Sequence, residues 1–227
     1  MARMVLIPPE DHARISAAVS AAEAASDGEI STMVARQSDD YAEWAMLLAA
    51  LVGLLAPALV ASDATGFDAL LVAIGGGWHG GYSAGELIAV TIVLQVILSG
   101  LAWLALRWMP LRLLLTPPGL KRSRVRSAAI KAFRVGIEAR TRAATGVLIY
   151  LSLAEHRAEI LGDAAITTKV GPEDWVETMA ALLTEVKAGR PGDGIVAAVG
   201  LTGALLATYF PRSHDDQNEM PDRLIEL

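Results

Sequence analysis

The sequence lacks cysteine, and its N-terminus lacks the features of an export signal. With no cysteine among 227 residues, the chain can form no disulfide, thiolate nucleophile or cysteine-ligated metal site. The first residues contain only a short apolar run with no small-residue cleavage site, so a secretory signal peptide is not predicted. Any segment that carries this chain into a membrane is therefore expected to be internal.

Two internal segments lack the charged residues that soluble helices carry. Residues 44–61 contain no charged residue, and residues 87–106 have Gln95 and Ser99 as their only strongly polar side chains. About 18 to 20 helical residues are enough to cross a hydrocarbon core about 30 Å thick. Two transmembrane helices are therefore predicted, with Pro57 able to kink the first. The rest of the chain is too short to cover both helices on all sides in a soluble core.

The segment between these predicted helices, residues 62–86, contains no Lys or Arg. Residues 69–75 are apolar but too short to span, and several glycines follow, so a loop near the membrane surface is predicted here. The glycine-rich sequence GGGWHGG lacks the Lys-Ser/Thr ending of a phosphate-binding loop, and nucleotide binding is not predicted.

Basic residues are concentrated after the second predicted span. Although the net charge is −6, residues 107–142 contain ten Lys or Arg and one acidic residue, Glu138. Because basic residues resist translocation, this side is predicted to be cytoplasmic. The position beside the membrane also favours anionic lipid headgroups over nucleic acid as the partner of this stretch. The residues expected at the membrane interface are Arg107, Arg112, Lys121, Arg122, Arg124 and Arg126.

The segments before and after the hairpin are predicted to combine into one small α/β domain. A helix from Pro9 and a strand at residues 29–36 cannot form a core alone. Apolar residues 147–153 predict a central strand to pair with the first, and residues 158–161 predict its hairpin partner. Strands of one sheet lie on one side of the membrane, which an even number of crossings allows. The predicted division is 1–40, an inserted transmembrane hairpin at 41–108, 109–211, and an acidic tail at 212–227.

Three more helices are predicted before and after this second strand region. A basic helix precedes it, from about Lys121 to Arg142, and two more follow, one from Pro172 and one over residues 194–210. The last is uncharged and long enough to be a third span. Its larger apolar residues instead fall on one stripe, as in a helix packed on a sheet, and both possibilities stay open. The stripe residues are Ile195, Val199, Leu206 and Phe210.

Several segments resemble the TPM domain family. TGVLIYLSLAEHRAEILGD is similar to its strand, turn and strand signature, and ISAAVSAAEAASDGEISTMVA to its first helix and strand. LTPPGLKRSRV and YFPRSHDDQNEMPDRLIEL resemble a bacterial membrane subgroup. The resemblance implies a small three-layer α/β domain, here split by the membrane hairpin, and it supports a packed last helix.

The resemblance also bears on activity. Family members are often called phosphatases because a plant thylakoid-lumen member is described as an acid phosphatase; others are tied to photosystem repair or have no known activity. This chain departs from the family in two ways. GDAAI at residues 162–166 replaces the usual G-x-G-L-E turn, and the domain is predicted to be cytoplasmic rather than exported. Both departures weaken the transfer of a catalytic role.

Four acidic residues are the candidate ligands for a divalent cation such as Ca²⁺, Mg²⁺ or Mn²⁺: Asp27, Glu29, Glu155 and Asp163. Phosphoryl hydrolysis without cysteine would need a metal carboxylate cluster or a nucleophilic Asp or His. Asp163 is expected at a strand end where open α/β sheets place ligands. No paired-histidine or D-x-D spacing organises the set, and turn or cap roles are the alternative. A further acidic group, either cation-binding or solvated, is Asp215, Asp216, Asn218 and Glu219.

Two functions remain in competition, and the sequence leaves open whether the protein is an enzyme. The first is an interaction or assembly module anchored in the cytoplasmic membrane, with both termini cytoplasmic and with the bilayer and other membrane proteins as partners. The second is a metal-assisted phosphatase of the TPM type. The absence of an ordered catalytic motif favours the first.

Overall fold

The computed structural model describes residues 6–75, 81–136, 145–213 and 221–227. It is a mixed α/β structure, largely helical with one small sheet, as the sequence predicts at that level. The chain divides into two compact units. The first comprises Met1–Asp39 with Pro117–Leu227, and the second is Asp40–Thr116.

The sheet of the first unit has four strands in the order β3-β2-β1-β4. β1 (Glu29–Ala35) and β2 (Gly146–Ser152) run parallel and pair along their whole length. β3 (Arg157–Gly162) runs antiparallel to β2. The predicted pairing of two strands separated by more than 100 residues is therefore confirmed, and so is the predicted hairpin after the second.

The fourth strand comes from the end of the chain. β4 (Ile225–Glu226) lies parallel to β1. The Glu226 carboxylate accepts hydrogen bonds from the backbone N–H groups of Leu6 at 3.2 Å and Ile7 at 3.0 Å. The last residues of the segment that the sequence analysis sets apart as an acidic tail, 212–227, thus belong to the sheet. Two residues are too few for a strand to show alternation in the sequence.

Helices pack on both faces of this sheet. On one face lie α1 (Pro9–Glu23), α9 (Val176–Lys187) and α10 (Pro191–Tyr209). On the other lies α7 (Pro118–Gly136). Because strand side chains alternate between faces, the sheet contributes side chains to two separate hydrophobic cores. The strand residues of the first core are Ile30, Val34, Val147, Ile149 and Leu151. Those facing α7 are Met33, Ala35, Leu148 and Tyr150.

Two short helical segments link β3 to α9. α8 (Ala164–Lys169) follows β3 directly, and a 3₁₀ turn (Pro172–Trp175) precedes α9. The predicted start of a helix at Pro172 is confirmed, whereas α8 is not predicted from the sequence. Six residues are too short a segment to display helical periodicity.

α10 packs inside the first unit, against α1 and α9. Ile195, Val199 and Leu206, which lie on the predicted stripe, are all buried. A methyl group added at Gly203 would lie 2.5 Å from Cβ of Ala22, so α1 and α10 approach closely there. By length and composition α10 also qualifies as a membrane span. Apolar composition alone therefore does not distinguish a packed helix from a spanning one.

Among the residues that the structure describes, the regular secondary structure of the second unit is entirely helical. α2 (Ala42–Gly53) and α3 (Leu55–Ser62) are nearly continuous, and both pack against α5 (Ala84–Ala105). Along the chain, α4 (Ala64–Ile74) comes between α3 and α5, and α6 (Met109–Leu115) follows α5. Residues 42–62 and 84–105 are long and apolar enough to cross a membrane.

The break between α2 and α3 agrees with the prediction from the sequence, whereas the segment after α3 does not. The break between α2 and α3 falls at Leu54. This matches a kink caused by Pro57, whose ring displaces the carbonyl group four residues earlier. The loop predicted over residues 69–75 is wrong for residues 69–74, because they belong to α4. Asp63 begins α4 by accepting a hydrogen bond from the backbone N–H of Gly66 at 2.8 Å, which satisfies one of the free N–H groups at the helix start.

The contact between α1 and α10 can be tested with two glycine substitutions in one helix. Gly203→Ala should lower the free energy of unfolding by about 1–3 kcal/mol, because the new methyl group overlaps Ala22. Gly200→Ala is the matched control, since it is exposed with nothing within 4 Å. It should raise the free energy of unfolding by up to about 1 kcal/mol through helix propensity. Thermal unfolding of the full chain in detergent would measure both. Equal stabilisation by the two substitutions would contradict the close crossing.

Candidate functional site

Four polar side chains meet beside the carboxyl ends of β1 and β2: Ser38, Tyr150, Ser152 and Glu155, here called the Glu155 cluster. The Glu155 carboxylate accepts hydrogen bonds from the backbone N–H of Ser38 at 3.0 Å and from the Ser152 hydroxyl at 2.5 Å. The Ser38 hydroxyl donates to Oγ of Ser152 at 2.8 Å and lies 3.1 Å from the Tyr150 hydroxyl. Tyr150, Ser152 and Glu155 are all buried.

The order of donors in the Glu155 cluster follows from its one carboxylate. An ionised carboxylate only accepts hydrogen bonds, so Ser152 donates to Glu155 and Ser38 donates to Ser152. The Tyr150 hydroxyl then donates to Ser38. The cluster joins the turn after β2 to the segment where the chain leaves β1, two residues before the second unit begins at Asp40.

Burial and charge act together on Tyr150. Burial raises the pKa of its hydroxyl, a hydrogen bond that Ser38 can donate to the ionised form lowers it, and the nearby charge of Glu155 raises it further, for a net increase. A neutral Tyr150 is therefore the form that the folded protein favours. Sequence reasoning predicted Glu155 as a site residue but missed Ser38, Tyr150 and Ser152. Ser38 lies more than 100 residues away from the other members, and Tyr150 and Ser152 lie within an apolar run.

Asp27 and Glu29 lie at the opposite edge of the sheet, where β1 begins. Asp27 Oδ1 accepts a hydrogen bond from the backbone N–H of Ser213 at 2.6 Å, and its carbonyl oxygen accepts one from the Thr145 hydroxyl at 2.9 Å. Glu29 is the first residue of β1, and it is buried. Through these two hydrogen bonds, Asp27 connects the start of β1 to Thr145, just before β2, and to Ser213, after α10.

Asp163 lies at the same edge as Asp27 and Glu29, not at the edge expected from the sequence. It directly follows β3, but β3 is antiparallel, so its end lies beside the beginnings of β1 and β2. The expected ligand position belongs to the carboxyl ends of parallel strands. The alternative cap role is also not formed, since the side chain makes no cap hydrogen bond to α8.

The four predicted acidic ligands therefore do not form one group. Glu155 lies at one edge of the sheet, and Asp27, Glu29 and Asp163 lie at the other. Among the described residues, no three His, Asp or Glu side chains come close enough to hold a metal ion. The acidic group at Asp215, Asp216, Asn218 and Glu219 lies outside the residues that the structure describes.

The basic residues of α7 divide into paired and outward-facing side chains. Arg124 forms an ion pair with Asp39 at 3.3 Å, and Arg126 forms one with Glu159 at 3.4 Å. Burial raises the pKa of Glu159, and the charges of Arg126, Arg122 and Arg157 only partly oppose this increase. Arg122 is exposed and Lys121 is half-buried.

The two basic residues nearest α5 make contacts within the second unit. The Arg112 guanidinium donates to the carbonyl oxygens of Leu106 at 2.7 Å and Asp40 at 2.5 Å. It thereby satisfies a free carbonyl at the end of α5. The Arg107 guanidinium lies 5.4 Å from the centre of the Trp103 ring, within range of a cation–π interaction.

Comparison with known proteins shows similarity of fold alone. No family model and no curated protein matches this chain. The chain is similar in structure to the BA42 protein from the psychrophilic bacteria Bizionia argentinensis sp. nov., solved by NMR, with a TM-score of 0.58. The two share 18% sequence identity, and the match covers 100% of each chain.

The electrostatics of the Glu155 cluster predict a pH effect. Tyr150 keeps its proton to a higher pH in the folded chain than in the unfolded one, so its contribution to stability is complete below about pH 10 and is lost as pH rises through the folded pKa. Glu155→Gln removes a charge that raises this pKa and should shift the titration to lower pH. Tyrosinate absorbance measures it, with Tyr150→Phe identifying the transition. A shift to higher pH in Glu155→Gln would contradict the cluster.

Proposed function

We propose that this chain is a membrane-anchored protein of the TPM type, whose small α/β domain serves as an interaction or assembly module on the cytoplasmic side of the cytoplasmic membrane. The observation that carries the proposal is the apolar surface of α5. Ile88, Val96 and Leu101 are 61%, 66% and 59% exposed, although each is a large aliphatic residue. Soluble proteins rarely expose a continuous apolar surface of this kind, whereas lipid chains would cover it.

A two-span anchor fits the lengths of the helices. Residues 42–62 and 84–105 each reach the length that a bilayer requires. α4, with 11 residues, extends only about 16 Å at 1.5 Å per residue and is too short to cross. Two crossings return the chain to its starting side, which suits a sheet that draws strands from both sides of the hairpin.

The orientation rests on the distribution of basic residues. Residues 62–86 contain no Lys or Arg, whereas basic residues follow α5 closely. On α7, Val125 and Ala129 face the sheet, while Arg122, Lys131 and Arg134 are exposed. A helix with one face packed and a basic outer face suits contact with anionic headgroups.

The positions of the polar residues support an interaction module more than a phosphatase. Metal-assisted phosphoryl hydrolysis needs carboxylates that converge on one point. The candidate carboxylates here lie at opposite edges of the sheet, and Glu155 accepts two hydrogen bonds from its own chain. With the apolar hairpin as anchor, partners would be the bilayer and other membrane proteins.

The proposed topology predicts that both termini are cytoplasmic. Fusion reporters at residue 2 and residue 227 should both give cytoplasmic signals, and the protein should resist extraction from membranes by carbonate. A periplasmic signal from both ends would reverse the orientation. Different signals from the two ends would mean an odd number of crossings, with α10 as the third span.

The proposal also predicts an absence of metal-dependent hydrolysis. The full chain in detergent, assayed on a generic phosphate ester, should show the same background rate with and without Ca²⁺, Mg²⁺ or Mn²⁺. Asp163→Asn and Glu155→Gln serve as matched variants and should not differ from the parent. Metal-dependent turnover that either substitution abolishes would favour the phosphatase instead.

A further inference from the structure

Gln95 is a polar residue in the middle of an apolar helix. It lies at the midpoint of α5, Ala84–Ala105. In the proposed topology its carboxamide would be near the centre of the bilayer, about 16 Å from either end of the helix at 1.5 Å per residue. A carboxamide has two N–H donors and one oxygen acceptor. Among the described residues, none forms a hydrogen bond with the Gln95 side chain.

The neighbouring polar residues of the same unit do not supply this partner. Thr91, one turn earlier, donates its hydroxyl to the carbonyl oxygen of Leu87 at 2.7 Å. Gly53 of α2 packs closely at this level, where an added methyl group would lie 3.3 Å from Cγ of Gln95. The close approach of α2 and α5 therefore constrains the stem of Gln95, and the residue stays half-buried.

Gln95 lies beside an open groove of about 390 Å³ between α3 and α5. The groove is otherwise lined almost entirely by apolar side chains, and the surrounding face of α5 is exposed, with Ile88 at 61% and Ile92 at 56%. Its lining includes Pro57, Val60, Ala61, Ile88, Thr91 and Ile92.

We propose that this groove is a self-association surface, at which two copies of the chain pair through their Gln95 carboxamides. This inference rests on the proposed membrane anchoring. A lipid chain could fill the apolar groove but offers no hydrogen bond, and an amide without a hydrogen-bond partner is destabilising in hydrocarbon. A second copy related by a two-fold axis brings the same amide, and each amide donates to the oxygen of the other. A second copy thus supplies both apolar side chains and the hydrogen-bond partner that the groove requires.

Energy transfer between donor- and acceptor-labelled copies of the full chain in lipid vesicles tests this pairing. The parent should show transfer that unlabelled protein competes away. Gln95→Leu should raise the dimer dissociation constant roughly 3- to 30-fold, the range for interhelical amide hydrogen bonds in membranes. Ile97→Leu, an apolar change on the far side of α5, should leave it unchanged. A monomeric parent, or equal dissociation constants for Gln95→Leu and the parent, would overturn the proposal.

Disulfide trapping tests the groove independently, because the chain contains no cysteine of its own. Ile92→Cys, in the groove, should form a disulfide-linked dimer under mild oxidation. Ile97→Cys is the matched control, since Ile97 is similarly exposed at 50% but points away from Gln95 by about 160° around the helix. Equal cross-linking of the two variants would overturn the assigned face.

The same preparations separate this inference from the proposed function. If carbonate extracts the protein from membranes, the anchoring fails, and the inference fails with it. If the protein stays in the membrane but the parent is monomeric in vesicles, the anchoring stands and only the self-association is overturned.

Discussion

The pairing of β1 with β2 is the constraint on which the rest of the domain depends. β1 lies between β2 and β4, and all seven of its residues are buried. Its backbone N–H and C=O groups need partners on both sides, because burial denies them water. Those partners come from residues after Pro117. The segments before and after the helical unit must therefore lie in one compartment, and any membrane crossings between them must be even in number.

Long, strongly patterned segments could be predicted from the sequence, whereas short ones could not. β2 is a continuous apolar run, and α5 is a helix of 22 residues whose only charged residue is Glu86 in its first turn, so each carries its own signal. β4 has two residues, which is a single strand repeat, and α8 has six, which is fewer than two helical turns. Their structure is decided by the neighbours they pair with or follow. α4 is not predicted from the sequence for another reason: its apolar part is too short to span a membrane, and the glycines that follow it indicate a loop.

The candidate site shows the same limit in side-chain chemistry. Glu155 could be selected because an acid in a hairpin turn is visible in the sequence. Its partners could not, because the hydrogen bond to Ser38 depends on the register of β1 against β2. Asp163 was assigned to the wrong edge because a strand's direction is set by its pairing and not by its residues. To predict at which edge of the sheet a residue lies, one must first know the order and direction of the strands.

The two units differ in how their polar groups find hydrogen-bond partners. A polar group removed from water needs a hydrogen-bond partner, and the cost of lacking one grows as the surroundings become less polar. In the first unit the buried Glu155 meets this need with Ser38 and Ser152 of its own chain. In the second unit the amide of Gln95 has no such partner within the described residues, and a bilayer would offer it none. The first unit therefore satisfies this buried carboxylate from its own chain, whereas the second unit, placed in a bilayer, would leave a directional hydrogen-bonding requirement that a second protein chain can fulfil.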